Sequence, residues 1–160
     1  MNRKYNTAEF LACVERLRRY FPGCALTADM ITGFPGETEA DQAAAVAFLE
    51  QIGFAAVHVF PYSRRPGTKA DAMPEQLSHA VKSARAHEAQ RVADACKQRY
   101  LVQQVGQTLP VLFETEHDGS WVGHSDNYCL VRAVGDDLRG LVKNVKISAV
   151  SGQMLVGDLV

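Results

Sequence analysis

The 160-residue chain has four cysteines, Cys13, Cys24, Cys96 and Cys129, and no two of them form a C-x-x-C or C-x-x-x-C-x-x-C group. That spacing excludes a local zinc or iron–sulfur knuckle and points to four reduced, mostly buried thiols. The five histidines are equally scattered, without the i, i+4 pairing to another histidine or a carboxylate that puts two ligands on one helical face. No complete metal site is expected within the chain. Long apolar runs are lacking too. None approaches the roughly 18 residues that cross a bilayer, and the first five residues lack the apolar stretch of a signal peptide. No membrane partner is expected, and the default location is cytoplasmic. Nor is there an excess of one charge, since the net value is -1. The balance is uneven along the chain, however. Arg64, Arg65, Lys69, Lys82, Arg85, Arg91, Lys97 and Arg99 crowd the middle, while the last third is acidic, so the middle would supply most of any attraction for nucleic acid.

What is present is an apolar content of 47%, enough for one medium domain or two small ones. Asn6, with Glu9 three residues on, starts a helix whose stripe is Phe10, Leu11, Val14 and Leu17 and which ends near Gly23. Ala25 to Gly33 reads as a strand. Thr38 with Asp41 caps a second helix with Ala45, Phe48, Leu49 and Ile52 inward and Gly53 as its stop. Phe54 to Phe60 is a second strand. Two strands, each preceded by a helix and roughly 30 residues apart, are a parallel βα repeat. After a Pro-, Gly- and Arg-bearing loop from Pro61 to Pro74, Ser78 to Val105 reads as one long helix, with a domain boundary at Gly106. Beyond it come short strands at Leu109 to Thr115, Trp121 to His124, Tyr128 to Val134, Leu141 to Val150 and Met154 to Leu159, with a turn at Asp118-Gly119, which suggests a small OB-like barrel. Two parallel strands cannot close a barrel and normally have neighbours on both edges and helices over both faces. The chain therefore reads as incomplete at its N-terminus, with Met1 an internal methionine of a longer protein.

The stretch Asp29-Met30-Ile31-Thr32-Gly33-Phe34-Pro35-Gly36-Glu37-Thr38 runs off a strand end, through a glycine-containing turn, into a helix N-terminus. That is where α/β folds bind ligands. Gly33 and Gly36 allow close approach of the backbone, and the helix start offers N–H groups to an anion. A plain βα turn capped by Thr38 accounts for the same residues. A phosphate-binding P-loop is excluded, because no G-K-[ST] follows.

Together with His58-Val59-Phe60-Pro61-Tyr62-Ser63-Arg64-Arg65-Pro66-Gly67-Thr68, about 20 residues later, this stretch resembles the methylthiotransferase family of radical S-adenosylmethionine enzymes. The resemblance extends over essentially the whole chain. Met1 to Tyr5 is similar to the family's stretch after the fourth barrel strand. Gly106 to Val160 resembles its C-terminal TRAM domain, including Gly123, Asn127-Tyr128 and Leu141 to Ile147. It implies an α/β fold: the C-terminal part of a partial parallel (β/α) radical-SAM barrel over residues 1–105, then a small all-β OB-like TRAM barrel over 106–160. It also implies that the parent enzyme uses S-adenosylmethionine and two 4Fe-4S clusters. One cluster generates a deoxyadenosyl radical that abstracts the C2 hydrogen of a modified adenosine, and the other delivers sulfur methylated by a second S-adenosylmethionine. The cluster-binding segments have no counterpart here, so no catalytic residue is assigned and the chain alone is expected to be inactive.

Carried onto this sequence, the resemblance places Ile31 and Gly33 near the adenine of S-adenosylmethionine, with Glu37 bracing the turn. Val59, Phe60 and Pro61 contact the same cofactor or form plain barrel core. Ser63, Arg64, Arg65, Gly67 and Thr68 match the family's Y-S-x-R-x-G-T loop, with Arg64 where proline is usual. Arg65 suits a phosphate or carboxylate, or else bonds loop carbonyls. In the TRAM-like part, Trp121, His124 and Tyr128 are candidates for stacking on RNA bases, with Lys143 and Lys146 on phosphates. Core filling is the competing role for the aromatics, and the expected one for Tyr128. The implied partners are a tRNA anticodon stem-loop and the N-terminal part of the same enzyme. Three sister groups share these motifs, acting on threonylcarbamoyladenosine in tRNA, on isopentenyladenosine in tRNA, or on a ribosomal-protein aspartate. The sequence before Tyr62-Ser63 most resembles the first. A stand-alone RNA-binding module and an inactive truncated product are the readings from other classes.

Overall fold

The computed structural model describes residues 4–160. The expectation for Met1 to Tyr5 therefore falls in part outside the described residues. The chain divides into two compact units, Met1–Lys97 and Gln98–Val160. The division lies within a helix rather than at Gly106, because the last turns of that helix pack with the second unit.

In the first unit the order is α1 (Thr7–Tyr20), β1 (Thr27–Thr32), α2 (Glu39–Ile52), β2 (Ala56–Pro61), then the beginning of α3 (His79–Gln104). Local chemistry sets these boundaries. The Asn6 side chain accepts from the Glu9 N–H while the Glu9 carboxylate accepts from the Asn6 N–H, a reciprocal capping box. Thr38 and Asp41 repeat it at α2, which ends where Gly53 turns left-handed. Arg18 of α1 donates to the carbonyls of Ile52 and Gly53, neutralising the exposed end of α2. β1 and β2 pair in parallel, Thr27 with Ala56 through Thr32 with Pro61. Their inward side chains, Ala28, Met30, Val57 and Val59, join Val14, Leu49, Ile52, Phe54, Ala89 and Ala93 from the helices and the turn before β2 in one apolar core. The opposite face of the sheet carries Asp29, Ile31, His58 and Phe60, all exposed.

In the second unit, β3 (Thr108–His117), β4 (Ser120–Ser125), β5 (Leu130–Ala133), β6 (Val142–Ser151) and β7 (Met154–Leu159) form a closed barrel in the order β3-β4-β5-β7-β6. All pairings are antiparallel except β5 with β7. Register shifts in β3 after Phe113 and in β6 after Ile147 bend the strands enough to close the ring. Val111, Phe113, Val131, Val145, Ile147 and Leu155 fill the interior. Glycine is required at Gly123, because a Cβ there would lie 1.9 Å from the Leu112 carbonyl oxygen. Gln98 and Tyr100, in the last turns of α3, bond to the barrel's loops at Gly152 and Asn127.

The expected elements are all present, with boundaries displaced by one or two residues. The strand expected from Tyr128, for instance, begins at Leu130, because Tyr128 occupies a left-handed turn with φ +59°.

Candidate functional site

At the C-terminal ends of β1 and β2 the turn 33–37 is held from within. The Glu37 carboxylate accepts from the Gly33 N–H at 2.9 Å and the Phe34 N–H at 3.4 Å. Arg85 of α3 donates to the same carboxylate at 2.7 Å and to the Glu37 carbonyl at 2.8 Å, with both side chains largely buried. The Gly36 N–H is bonded to the Glu75 carbonyl and the Glu37 N–H to that of Phe34. The N–H groups of Gly33, Phe34, Gly36 and Glu37 are therefore engaged within the protein, as in a plain braced βα turn. Glu37 has the bracing position. Arg85 is committed to Glu37 and withdrawn from the basic surface of the middle. Gly33 is buried with φ +71°, and a Cβ there would meet the Lys82 stem at 2.4 Å, so a structural contact already demands glycine.

The Lys82 ammonium lies 5.7 Å from the centre of the Tyr62 ring, which meets Phe34 edge-on at 5.3 Å. The hydroxyls of Thr32 and Tyr62, at or just beyond the two strand ends, are buried without a hydrogen-bond partner among the described residues. Ile31 and Phe60 are register partners on the uncovered face, 37% and 51% exposed, and form a flat apolar surface. Val59 points the other way, into the core, and so does not face a ligand on that surface. His58 lies on the uncovered face with its ring stacked near that of Phe60 at 6.5 Å. Pro61 ends β2.

In the loop that follows, Arg64 rather than Arg65 makes the structural contacts. Its guanidinium pairs with the Asp71 carboxylate at 2.7 Å and donates to the Asp71 carbonyl at 2.9 Å. The Thr68 hydroxyl closes the turn on the Arg65 carbonyl, and Gly67 takes φ +83°. Ser63 is exposed, and the exposed Arg65 side chain has no hydrogen bond or ion pair among the described residues.

On the barrel, two expectations are corrected. Trp121 is 5% exposed, on an inward position of β4, and so cannot stack on RNA; strand alternation puts it in the core. Tyr128, expected in the core, is 87% exposed. Its turn is rigidly supported: Tyr128 N–H to the Ser125 carbonyl, Ser125 hydroxyl to Asn127, and Asn127 amide to the Tyr100 hydroxyl and Gln104. His124 is exposed, with Nδ1 2.6 Å from the Glu114 carboxylate. Lys143 is exposed, and the Lys146 ammonium donates to the Gly106 carbonyl. A groove of about 470 Å³ on the outer face of the barrel brings His124 and Tyr128 together with Pro110, Leu112, Glu114, Ser125, Asp126 and Val142. The groove's apolar floor was legible only in part. With Val111 and Phe113 inward, Leu112 must face out, but its neighbour Val142 follows from strand pairing alone.

Among the described residues no group of three or more His, Cys, Asp or Glu side chains is placed to hold a metal ion, and no helix is long and apolar enough to cross a membrane. The residues present thus do not fit an iron–sulfur cluster. The Ile31–Phe60 surface does fit the flat ring of an adenine-bearing cofactor.

No protein-family model matches the chain. Comparison with curated proteins finds strong similarity. The chain is 37% identical over 153 residues to the threonylcarbamoyladenosine tRNA methylthiotransferase MtaB of Bacillus subtilis, covering 92% of the chain and 34% of the relative. It is 39% identical over 162 residues to the tRNA-2-methylthio-N(6)-dimethylallyladenosine synthase of Maricaulis maris, covering 99% and 36%. It is 35% identical to the MtaB of Chlamydia pneumoniae, covering 100% and 38%. The chain spans about a third of the length of the curated relatives it matches. With 35–39% identity sustained over nearly all of its residues, the chain is similar to a segment of these tRNA methylthiotransferases.

Proposed function

We propose that the chain is the C-terminal portion of a cytoplasmic radical S-adenosylmethionine enzyme that adds a methylthio group to C2 of N6-threonylcarbamoyladenosine beside the tRNA anticodon. The observation that carries this reading is the uncovered face of the β1–β2 sheet. A parallel sheet with helices on one side only is half of an arrangement, and in a partial (β/α) barrel the other face lines the interior. In this reading the unpartnered edges of β1 and β2 meet the preceding barrel strands of the longer protein, and the orphaned Thr32 and Tyr62 hydroxyls gain partners there.

Within that barrel Ile31 and Phe60 hold the adenine ring of S-adenosylmethionine by apolar contact, with Gly33 and Pro61 at the strand ends beside them. Glu37 and Arg85 keep the turn rigid. When bound, S-adenosylmethionine supplies the radical and the methyl group, while both iron–sulfur clusters are held by the remainder of the enzyme. Arg65, whose side chain has no hydrogen bond or ion pair among the described residues and whose planar fork suits carboxylates and phosphates, faces the substrate from the loop 63–68. The threonylcarbamoyl group carries a carboxylate and the dimethylallyl group does not, which favours the first substrate alongside the His58 to Pro61 resemblance. The barrel acts as the TRAM domain and binds the anticodon stem-loop, with Lys143 on phosphate.

Filter binding of the chain to an anticodon stem-loop RNA at two salt concentrations tests the tRNA reading. Binding should weaken steeply with salt, and no binding at low salt would overturn it. For the substrate, the matching third of the Maricaulis relative is replaced by this chain and cellular tRNA is analysed by mass spectrometry. Methylthiolation of threonylcarbamoyladenosine is expected. Its absence, with dimethylallyladenosine still modified, would assign the chain to the sister group.

A further inference from the structure

The groove on the barrel has an unusual lining for a surface that meets nucleic acid. Its floor is apolar: Leu112 and Val142 are register partners on adjacent strands, 43% and 62% exposed, with Pro110 beside them. Its rim carries two carboxylates, Glu114 and Asp126, and the single imidazole of His124. One Glu114 oxygen is engaged by His124 at 2.6 Å, while the other oxygen and the Asp126 carboxylate have no hydrogen-bond partner among the described residues. Tyr128 stands over the groove almost wholly in solvent, from a left-handed backbone that non-glycine residues rarely adopt. The Ser125, Asn127, Tyr100 and Gln104 bonds hold that turn, so the strain is imposed by the surroundings and the residue is held at the groove.

From this lining we infer that the groove is a nucleobase pocket that selects a base presenting adjacent N–H donors, guanine above the others. The inference rests on the reading of the chain as tRNA-binding. Phosphate is the wrong ligand for a rim with two carboxylates, because like charges repel across it. A base fits on both counts. It stacks on Tyr128 and covers Leu112 and Val142, a contribution that any base makes. Its edge then meets carboxylates that only accept. Guanine offers N1–H and the N2 amino group side by side, matching a carboxylate with two parallel donors. Adenine and cytosine offer one amino group each beside an acceptor, and uracil offers one N–H flanked by two carbonyls that the carboxylates repel.

The test is fluorescence anisotropy of the full chain with end-labelled hexauridylate and with the same hexamer bearing one central guanosine, at fixed low salt. The guanosine hexamer should bind roughly tenfold more tightly, as one well-made paired contact to a base edge provides. Changing both Glu114→Gln and Asp126→Asn should abolish that difference without weakening the hexauridylate, since it removes negative charge. Tyr128→Gly should weaken both hexamers. Glycine suits the left-handed position, so the variant keeps its fold, and an unchanged melting temperature verifies this. Equal affinities for the two hexamers in the wild type, or a guanosine preference that survives the double change, would overturn the inference. Either result removes base selectivity from the groove, while salt-sensitive binding of the anticodon stem-loop would still support the tRNA reading. Failure to bind the stem-loop as well would overturn both.

Discussion

The two units solve the same problem, burying the backbone groups of a sheet, in opposite ways. The barrel closes on itself: five strands pair around a ring, and bulky side chains fill its interior down to positions with no exposure at all, such as Phe113 and Val145. The β1–β2 sheet pairs only once, leaves both outer edges without a strand partner among the described residues, and shows Ile31 and Phe60 to solvent. A closed ring has no edge and a filled interior, so its stability is its own. An open pair of strands is marginal by itself and depends here on α1, α2 and α3 covering one side. The difference teaches that one region closes its own sheet, while the other leaves one face and both sheet edges uncovered among the described residues.

That contrast can be broken or sharpened at chosen positions. The largest effect is expected at Gly123→Ala, where the new Cβ would collide with backbone that cannot move aside. The barrel should lose more than about 4 kcal/mol or fail to form, while helical ellipticity from the first unit persists on circular dichroism. Glu37→Gln acts on the other unit by leaving the largely buried Arg85 guanidinium without its ion-pair partner. A loss of about 3 kcal/mol is expected in urea unfolding of the first unit, with the barrel transition unmoved. Thr38→Ala removes the cap of α2 and should cost about 1 kcal/mol in the same transition.

The smallest effect is a pH dependence at the same cap. The Asp41 carboxylate is held below its usual pKa, first by the Thr38 hydroxyl and then by the Thr38 N–H, both donating to it. Its folded-state value is therefore lower than its unfolded one. The contribution to stability is present at neutral pH and down to the ordinary aspartate range, and disappears as pH falls through the lowered value. An Asp41→Asn variant should show less acid sensitivity in the first unit than the wild type, measured as the difference in urea midpoint between pH 6 and a pH of about 3.

The elements were legible because each had a local cause. Asn6 with Glu9, Thr38 with Asp41, and the left-handed Gly53 mark helix ends through bonds a few residues apart. The functional surfaces were less so, because they depend on contacts distant in sequence. Arg64 and Arg65 are adjacent, and only the position of Asp71 decides which of them is spent on the loop. At Gly33 the sequence left a ligand-accepting turn and a plain capped turn both open, because nothing local shows that Glu37 and Glu75 engage its N–H groups in the fold. The roles of Trp121, left open between stacking and core, and of Tyr128, expected in the core, were illegible for a similar reason. Strand alternation buries the first, while a turn braced from α3 lifts the second into solvent, and nothing within four residues of Tyr128 announces Tyr100 and Gln104.

The measurement that tests the contrast most directly is amide hydrogen exchange on the 160-residue chain, followed residue by residue. Amides paired across β3, β4 and β6 should exchange only through global opening of the barrel, and those of β1 and β2 orders of magnitude faster, through local opening of an unsupported sheet. Equal, slow exchange across both units would contradict the account, showing the β1–β2 sheet to be a finished structure with no need of a completing segment.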